Sequence, residues 1–301
     1  MKHLLKLLDL SGDEIISLLD LADQLKYEKR HNIAHPYLKG KSVGLIFQKS
    51  STRTRVSFET GIWQLGGQPL FLSARDLQIG RGEPVQDTAR VLSRYLDGIM
   101  IRTFEQKEVE DLAKYGSIPI INGLTDDYHP CQVLADLMTI REKYGTLKGL
   151  KMTYIGDGDN MANSLIVGGL KTGMKVAIAT PKGYEPKEEV MEFASSNPDF
   201  FFTNDPAEAL KDADVVITDT WASMGMENEK EKRQKDFAGF TLDDELLANA
   251  KPGTMVLHCL PAYRGQEITE KVFEDHADEI FEEAENRLHA QKAVMVELMK
   301  D

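Results

Sequence analysis

The chain has 301 residues, enough for roughly two domains of ordinary size. Its 36 Lys and Arg against 49 Asp and Glu leave a net charge of −13, which argues against nucleic acid or an anionic membrane as the main partner. Two cysteines, Cys131 and Cys259, exclude a disulfide framework and fit a reducing compartment.

The first ten residues are broken by charge and carry no cleavage-site pattern, and no apolar run reaches membrane-spanning length, so the chain reads as cytoplasmic. Ser11-Gly12-Asp13-Glu14 is a capping box opening a helix whose apolar residues include Ile15, Leu18, Leu19 and Leu25. Val43–Phe47 reads as a buried strand. It leads into Ser50-Ser51-Thr52-Arg53-Thr54-Arg55, behind which Phe58, Ile62 and Leu65 recur at helical spacing. Further strands are expected at Pro69–Leu72, Gly98–Ile101 and Ile118–Ile121, followed by a helix from Gln132 to Tyr144. The turn-rich Gly145–Gly149 is the expected domain boundary. Beyond it come strands at Met152–Ile155, Val176–Thr180, Phe200–Thr203, Val215–Thr218 and Met255–Leu257, and a last helix over Phe281–Met299. The alternation implies an α/β protein of two domains, each a parallel open sheet flanked by helices, with the active site in the interdomain cleft. The expected domains are 1–145 and 146–280, with 281–301 packing back on the first.

Open parallel sheets bind ligands at the carboxyl ends of their strands, and here strand after strand ends in polar residues. Ser50–Arg55 gathers hydroxyls, backbone N–H groups and guanidinium groups at a helix start, a site suited to an anion, the plainer alternative being an ordinary N-cap with two solvated arginines. Other strand ends lead to the loop Asp76–Pro84, to Arg102, to Asn122 and His129-Pro130-Cys131-Gln132, to Gly156–Asn160, to Asp219–Gly225 and to His258–Pro261.

Other motifs have two readings each. Gly156-Asp157-Gly158 resembles the start of a dinucleotide fingerprint, but Met161 replaces the third glycine and the acidic residue expected about 20 positions on is missing. A tight strand-to-helix turn is the plainer reading, with Asn160 at the helix start facing the cleft. No P-loop is present, since His35 stands where its first glycine belongs. His129, Cys131, His258 and Cys259 match no common zinc spacing, so no metal is expected. Cys259 as a covalent nucleophile requires a thiolate-stabilising neighbour. The charged run Glu227–Lys235 reads as a solvated, mobile loop, or as a lid over substrate given its place after Ser223-Met224-Gly225.

Together these motifs resemble the carbamoyltransferase family. The family's phosphate motif appears as Ser51-Thr52-Arg53-Thr54-Arg55, and its His-Pro-x-Gln as His129-Pro130-Cys131-Gln132. Asp219–Gly225, with its Ser-Met-Gly, and His258-Cys259-Leu260-Pro261 resemble the members that use ornithine. The resemblance extends from the N-terminal helix to Asn286-Arg287-Leu288-His289. It implies transfer of the carbamoyl group of carbamoyl phosphate to L-ornithine, within arginine metabolism and with no cofactor. Ser51, Thr52, Arg53 and Thr54, helped by Arg102, would hold the phosphate. Arg102, His129 and Thr54 would face the carbonyl oxygen, where one donor is typically worth about 3–4 kcal/mol. Gln132, with Cys259, Leu260 and Arg287, would hold the carbamoyl NH2. Gln78 would reach a neighbouring subunit's site, which implies a homotrimer or an assembly of trimers. Asn160, Asp219, Ser223 and Met224 would grip ornithine's α-amino and α-carboxylate groups, and Cys259 beside Asp219 would orient its side-chain amine.

Overall fold

The computed structural model describes residues 1–75, 77–79, 82–222 and 227–300. The chain divides into two compact units, Met1–Ala135 together with the chain from Arg287 onward, and Asp136–Asn286.

In the first unit the order is α1 (Gly12–Arg30), β1 (Ser42–Phe47), α2 (Thr52–Gln64), β2 (Gln68–Ser73), α3 (Val85–Leu92), β3 (Gly98–Arg102), α4 (Gln106–Tyr115) and β4 (Ile120–Leu124). α5 (Pro130–Tyr144) begins in this unit and ends in the second. The four strands form one parallel sheet in the order β2-β1-β3-β4. β1 and β3 are central and read as nearly unbroken apolar runs because helices cover both faces. Their buried Ile46, Ile99 and Ile101 pack with Val109, Leu112 and Ile120. Burying a side chain of this size stabilises by roughly 1.5–3 kcal/mol. β2 lies at the edge, leaving Leu70 and Phe71 partly exposed and giving Pro69 a place where its missing N–H is tolerated. α1 opens with the expected capping box: Ser11 Oγ accepts from Glu14 N at 3.1 Å, and Glu14 Oε2 accepts from Ser11 N at 2.8 Å.

The second unit contains β5 (Lys151–Ile155), α6 (Asn160–Lys171), β6 (Lys175–Ala179), α7 (Glu188–Ser195), β7 (Phe200–Thr203), α8 (Pro206–Leu210), β8 (Val215–Thr218), α9 (Lys230–Asp236), α10 (Asp244–Leu247), β9 (Met255–His258), α11 (Glu270–Asp275) and α12 (Ala277–Met299), the last returning to the first unit. Its parallel sheet runs β7-β6-β5-β8-β9. Ile155, Val216 and Val256 pack against Phe237, Ile268 and Phe273, with Trp221 stacked on Phe237 at 5.5 Å between ring centroids.

Both units are therefore parallel α/β sheets flanked by helices, and every expected strand is present. The charged run after Gly225 is a correction. Its described residues form a 3-10 turn at Glu227–Glu229 and the helix α9 rather than a loop, while Asn228, Glu229, Glu231, Lys232, Gln234 and Lys235 are exposed as expected. Glu229 and Arg233 pair one helical turn apart at 3.0 Å, and Arg233 is the member of the run that turns inward.

Candidate active site

In each sheet the chain leaves the first central strand in one direction and returns to fill the other side, which creates a topological switch point between two neighbouring strands. In the first unit those strands are β1 and β3, with Phe47 opposite Arg102. The pairing continues past β1, where Gln48 N donates to Arg102 O at 2.9 Å and anchors the segment leading to Ser51. Ser51 then caps α2, accepting from Thr54 N at 3.2 Å. A register shift between Ile101 and Arg102 marks a bulge where β3 ends, the kind of irregularity that re-aims a side chain.

Around this switch point Thr54, Arg102, His129, Gln132 and Arg287 are all buried. Pro130 opens α5, where its missing N–H goes unnoticed, and the preceding His129 accepts from Gln132 N at 3.1 Å through its carbonyl. Arg287 Nη1 donates to Gln132 Oε1 at 2.7 Å and its Nη2 to Thr54 Oγ1 at 3.4 Å, joining α12 to α5 and α2. Burial, then the charges of Arg287, Arg102 and Arg53, hold the His129 imidazole well below the usual histidine range. It is a neutral hydrogen-bonding group among guanidinium groups, an arrangement able to bind an anion and polarise a carbonyl. Ser51 and Thr52 line a neighbouring cavity of about 270 Å³ with Ser50, Arg55, Phe71 and Arg75. The Arg55 guanidinium lies over the Phe71 ring at 3.6 Å. Gln78 is exposed.

In the second unit the switch point lies between β5 and β8, with Ile155 opposite Thr218. Asp219 follows directly and is buried, and it accepts from Thr220 N at 2.7 Å. Burial raises its pKa, while the Cys259 thiol donates to it. The Cys259 thiol is pushed well above its usual range by burial and by the Asp219 charge, so it is protonated at pH 8. That is the opposite of what a covalent nucleophile requires. Asn160 is buried in the first turn of α6. Gly158 is explained by packing: a Cβ there would meet Tyr184 O at 2.2 Å. Ser223 and Met224 lie outside the described residues.

The structure adds a pair that sequence spacing did not single out. His258 Nε2 lies 3.0 Å from Glu267 Oε1, and His258 Nδ1 accepts from Leu260 N at 2.9 Å. Together they assign the proton to Nε2 and pin Leu260, whose φ of +60° is uncommon for a residue other than glycine. Asp219, His258 and Cys259 bring potential ligand atoms within 4.8 Å of one another. With both His258 nitrogens engaged, only a carboxylate and a thiol remain, a poor donor set for a catalytic metal. Leu260 itself is half-buried and precedes a cis peptide to Pro261.

The chain matches the carbamoyl-phosphate-binding domain of aspartate/ornithine carbamoyltransferases over residues 2–142 and their Asp/Orn-binding domain over 148–298. It is 59% identical over 301 residues to the ornithine carbamoyltransferase of Caldicellulosiruptor saccharolyticus, covering 98% of each chain. Identity to that of Oceanobacillus iheyensis is 55%, covering 100% of this chain and 95% of the other. The solved ornithine carbamoyltransferase of Pyrococcus furiosus is similar with a TM-score of 0.94 at 51% identity, covering 99% of this chain and 97% of that one. The chain is an enzyme of the aspartate/ornithine carbamoyltransferase family.

Proposed function

We propose that the enzyme transfers the carbamoyl group of carbamoyl phosphate to the side-chain amine of L-ornithine, giving L-citrulline and phosphate by direct amine attack through a tetrahedral intermediate. The first unit, with its carbamoyl-phosphate-type match, takes the donor, and the second takes the acceptor. The names of the relatives support ornithine, and the observation that carries this reading is the buried Asp219 carboxylate bonded to a protonated Cys259 thiol.

Ser51, Thr52, Arg53, Thr54 and Arg102 hold the phosphate. Arginine forks and the open end of α2 supply the positive charge. Arg102, neutral His129 and Thr54 donate toward the carbonyl oxygen as it gains charge, and Gln132 with Arg287, Cys259 and Leu260 orients the carbamoyl NH2. Asn160, Asp219, Ser223 and Met224 grip ornithine's α-amino and α-carboxylate groups. The amine lone pair forms the new C–N bond, the C–O bond to phosphate breaks, and the amine gives up a proton. An amine with a lysine-like pKa near 10.4 must first become neutral, which costs about 3 kcal/mol at pH 8. A protonated thiol can orient that neutral amine without itself becoming acylated, and a carbamoylated Cys259 trapped by mass spectrometry on the productive path would overturn this role.

The assembly proposed is a homotrimer or a set of trimers, with the Gln78 loop serving a neighbouring subunit. Val56 and Trp63 support it: they share one face of α2 and are 54% and 74% exposed. Two free cysteines are in keeping with the cytoplasm. Citrulline formation from carbamoyl phosphate, with ornithine and putrescine compared as acceptors, tests the function. Preference for putrescine would refute the acceptor, and no carbamoylation of either would refute the reaction.

A further inference from the structure

Arg287 has a further holder that belongs to none of the binding sets above. One turn along α12, Gln291 is fully buried. Its surroundings fix the amide orientation, because only with the oxygen toward the guanidinium does each contact pair a donor with an acceptor. Oε1 then accepts from Arg287 Nη2 at 2.7 Å and from Nε at 2.9 Å, while Nε2 donates to Ser57 Oγ at 2.7 Å. Ser57 Oγ passes its own proton to Thr54 O at 3.2 Å. Since Arg287 also reaches Thr54 Oγ1 and Gln132 Oε1, these contacts form a closed ring from α2 through α12 and back to α2.

We propose that Gln291 is a positioning residue for carbamoyl phosphate, fixing the plane of the Arg287 guanidinium through a neutral amide that itself adds no negative charge beside it. This inference rests on the donor site described under the proposed function. A single amide oxygen bridging Nε and Nη2 stops rotation about the end of the arginine side chain, so Nη1 stays directed at Gln132. A carboxylate would hold the same edge equally well, but it would neutralise the guanidinium and remove positive charge from a site that must bind an anion. It would also weaken the field that Arg287, with Arg102 and Arg53, exerts on His129. A neutral amide meets both requirements. Its own N–H is not left unpaired, because the Ser57 hydroxyl relays it to a backbone carbonyl of the phosphate helix.

Two substitutions separate geometry from charge. Gln291→Met keeps the volume and loses the hold. Gln291→Glu keeps acceptor oxygens against Arg287 and cancels its charge. Calorimetric binding of carbamoyl phosphate to the intact enzyme should weaken about tenfold or more in each variant, a loss of about 1.4 kcal/mol. The KM for ornithine, measured with the donor saturating, should change less than about twofold, since Gln291 holds only the donor side. A purely structural role would instead lower the melting temperature and raise both KM values together. Wild-type affinity for carbamoyl phosphate in Gln291→Met would overturn the proposal. If that variant does not fold, wild-type affinity in Gln291→Glu would do so. The reading of the site fails separately, when the unmodified enzyme makes no citrulline.

Discussion

Arg233 of α9 forms a buried ion pair with Asp157 in the loop after β5, and the same guanidinium nitrogen donates to the Trp221 carbonyl at 2.7 Å. Its Nε reaches Glu229 at 3.0 Å and its guanidinium carbon lies 5.0 Å from the Tyr184 ring centroid. One side chain thus ties the ends of β5 and β8 to α9. Removing only the cation leaves a carboxylate buried without its counter-charge, which typically destabilises by about 3–5 kcal/mol. Arg233→Met should show that loss in urea unfolding, and the double variant Asp157→Asn/Arg233→Met should recover most of it. A single-variant loss below about 1 kcal/mol would mean that water already reaches the pair.

Arg233 also marks where sequence reading stops. Parallel strands buried on both faces announce themselves as apolar runs, so β1, β3, β5, β8 and β9 are legible, as is the helix start at Ser50–Arg55 before the Phe58-Ile62-Leu65 face. Arg233 looked like one more charge in a polar run, because nothing local says which member of such a run turns inward. The Glu267 support of His258 spans nine residues and exists only once the chain has turned back on itself. Gln291 lies 234 residues from Ser57. Strand-end chemistry is local and can be read from the chain, whereas the residues that hold it in place are joined by tertiary contacts.

Arg53 stands in the first turn of α2, half-buried, and its charge contributes to keeping His129 neutral. Arg53→Lys retains a positive charge but replaces a planar fork with a point donor. Carbamoyl phosphate affinity should fall about ten- to a hundredfold, while the KM for ornithine at saturating donor stays near its original value. Near-normal donor affinity in steady-state kinetics would remove Arg53 from the phosphate site.

The Cys259 residue is half-buried, yet desolvation of its sulfur and the Asp219 charge both raise its pKa. Thiolate is the reactive form, so alkylation by iodoacetamide at pH 8 should run at least about tenfold slower than for free cysteine, whose pKa is about 8.5. The rate should keep climbing past pH 9 without a plateau. Asp219→Asn removes the negative charge beside the sulfur and should lower the thiol pKa, speeding alkylation at fixed pH. Rapid labelling of Cys259 in the unaltered enzyme at pH 7 would mean a thiolate and would reopen covalent catalysis.

Lys292 offers a stability test independent of turnover. It is fully buried on α12, and its ammonium has neutral partners, His35 Nε2 and Gln64 Oε1, each at 3.1 Å. Burial, then the charge of Lys29, lowers its pKa from 10.5 to about 8, with Glu28 pulling the other way. Between those values the unfolded chain binds the proton and the folded one does not, so stability rises with pH across that window. Below pH 8 both states are protonated and the folded protein carries the full penalty, about 3 kcal/mol. Lys292→Met removes the penalty but leaves His35 and Gln64 each short of a donor, at about 1 kcal/mol apiece. The variant should therefore match or exceed the parent in stability at pH 7 and fall below it at pH 10. Urea unfolding at both values decides the matter: a difference between the two proteins that does not change with pH would show that Lys292 titrates normally in the folded chain.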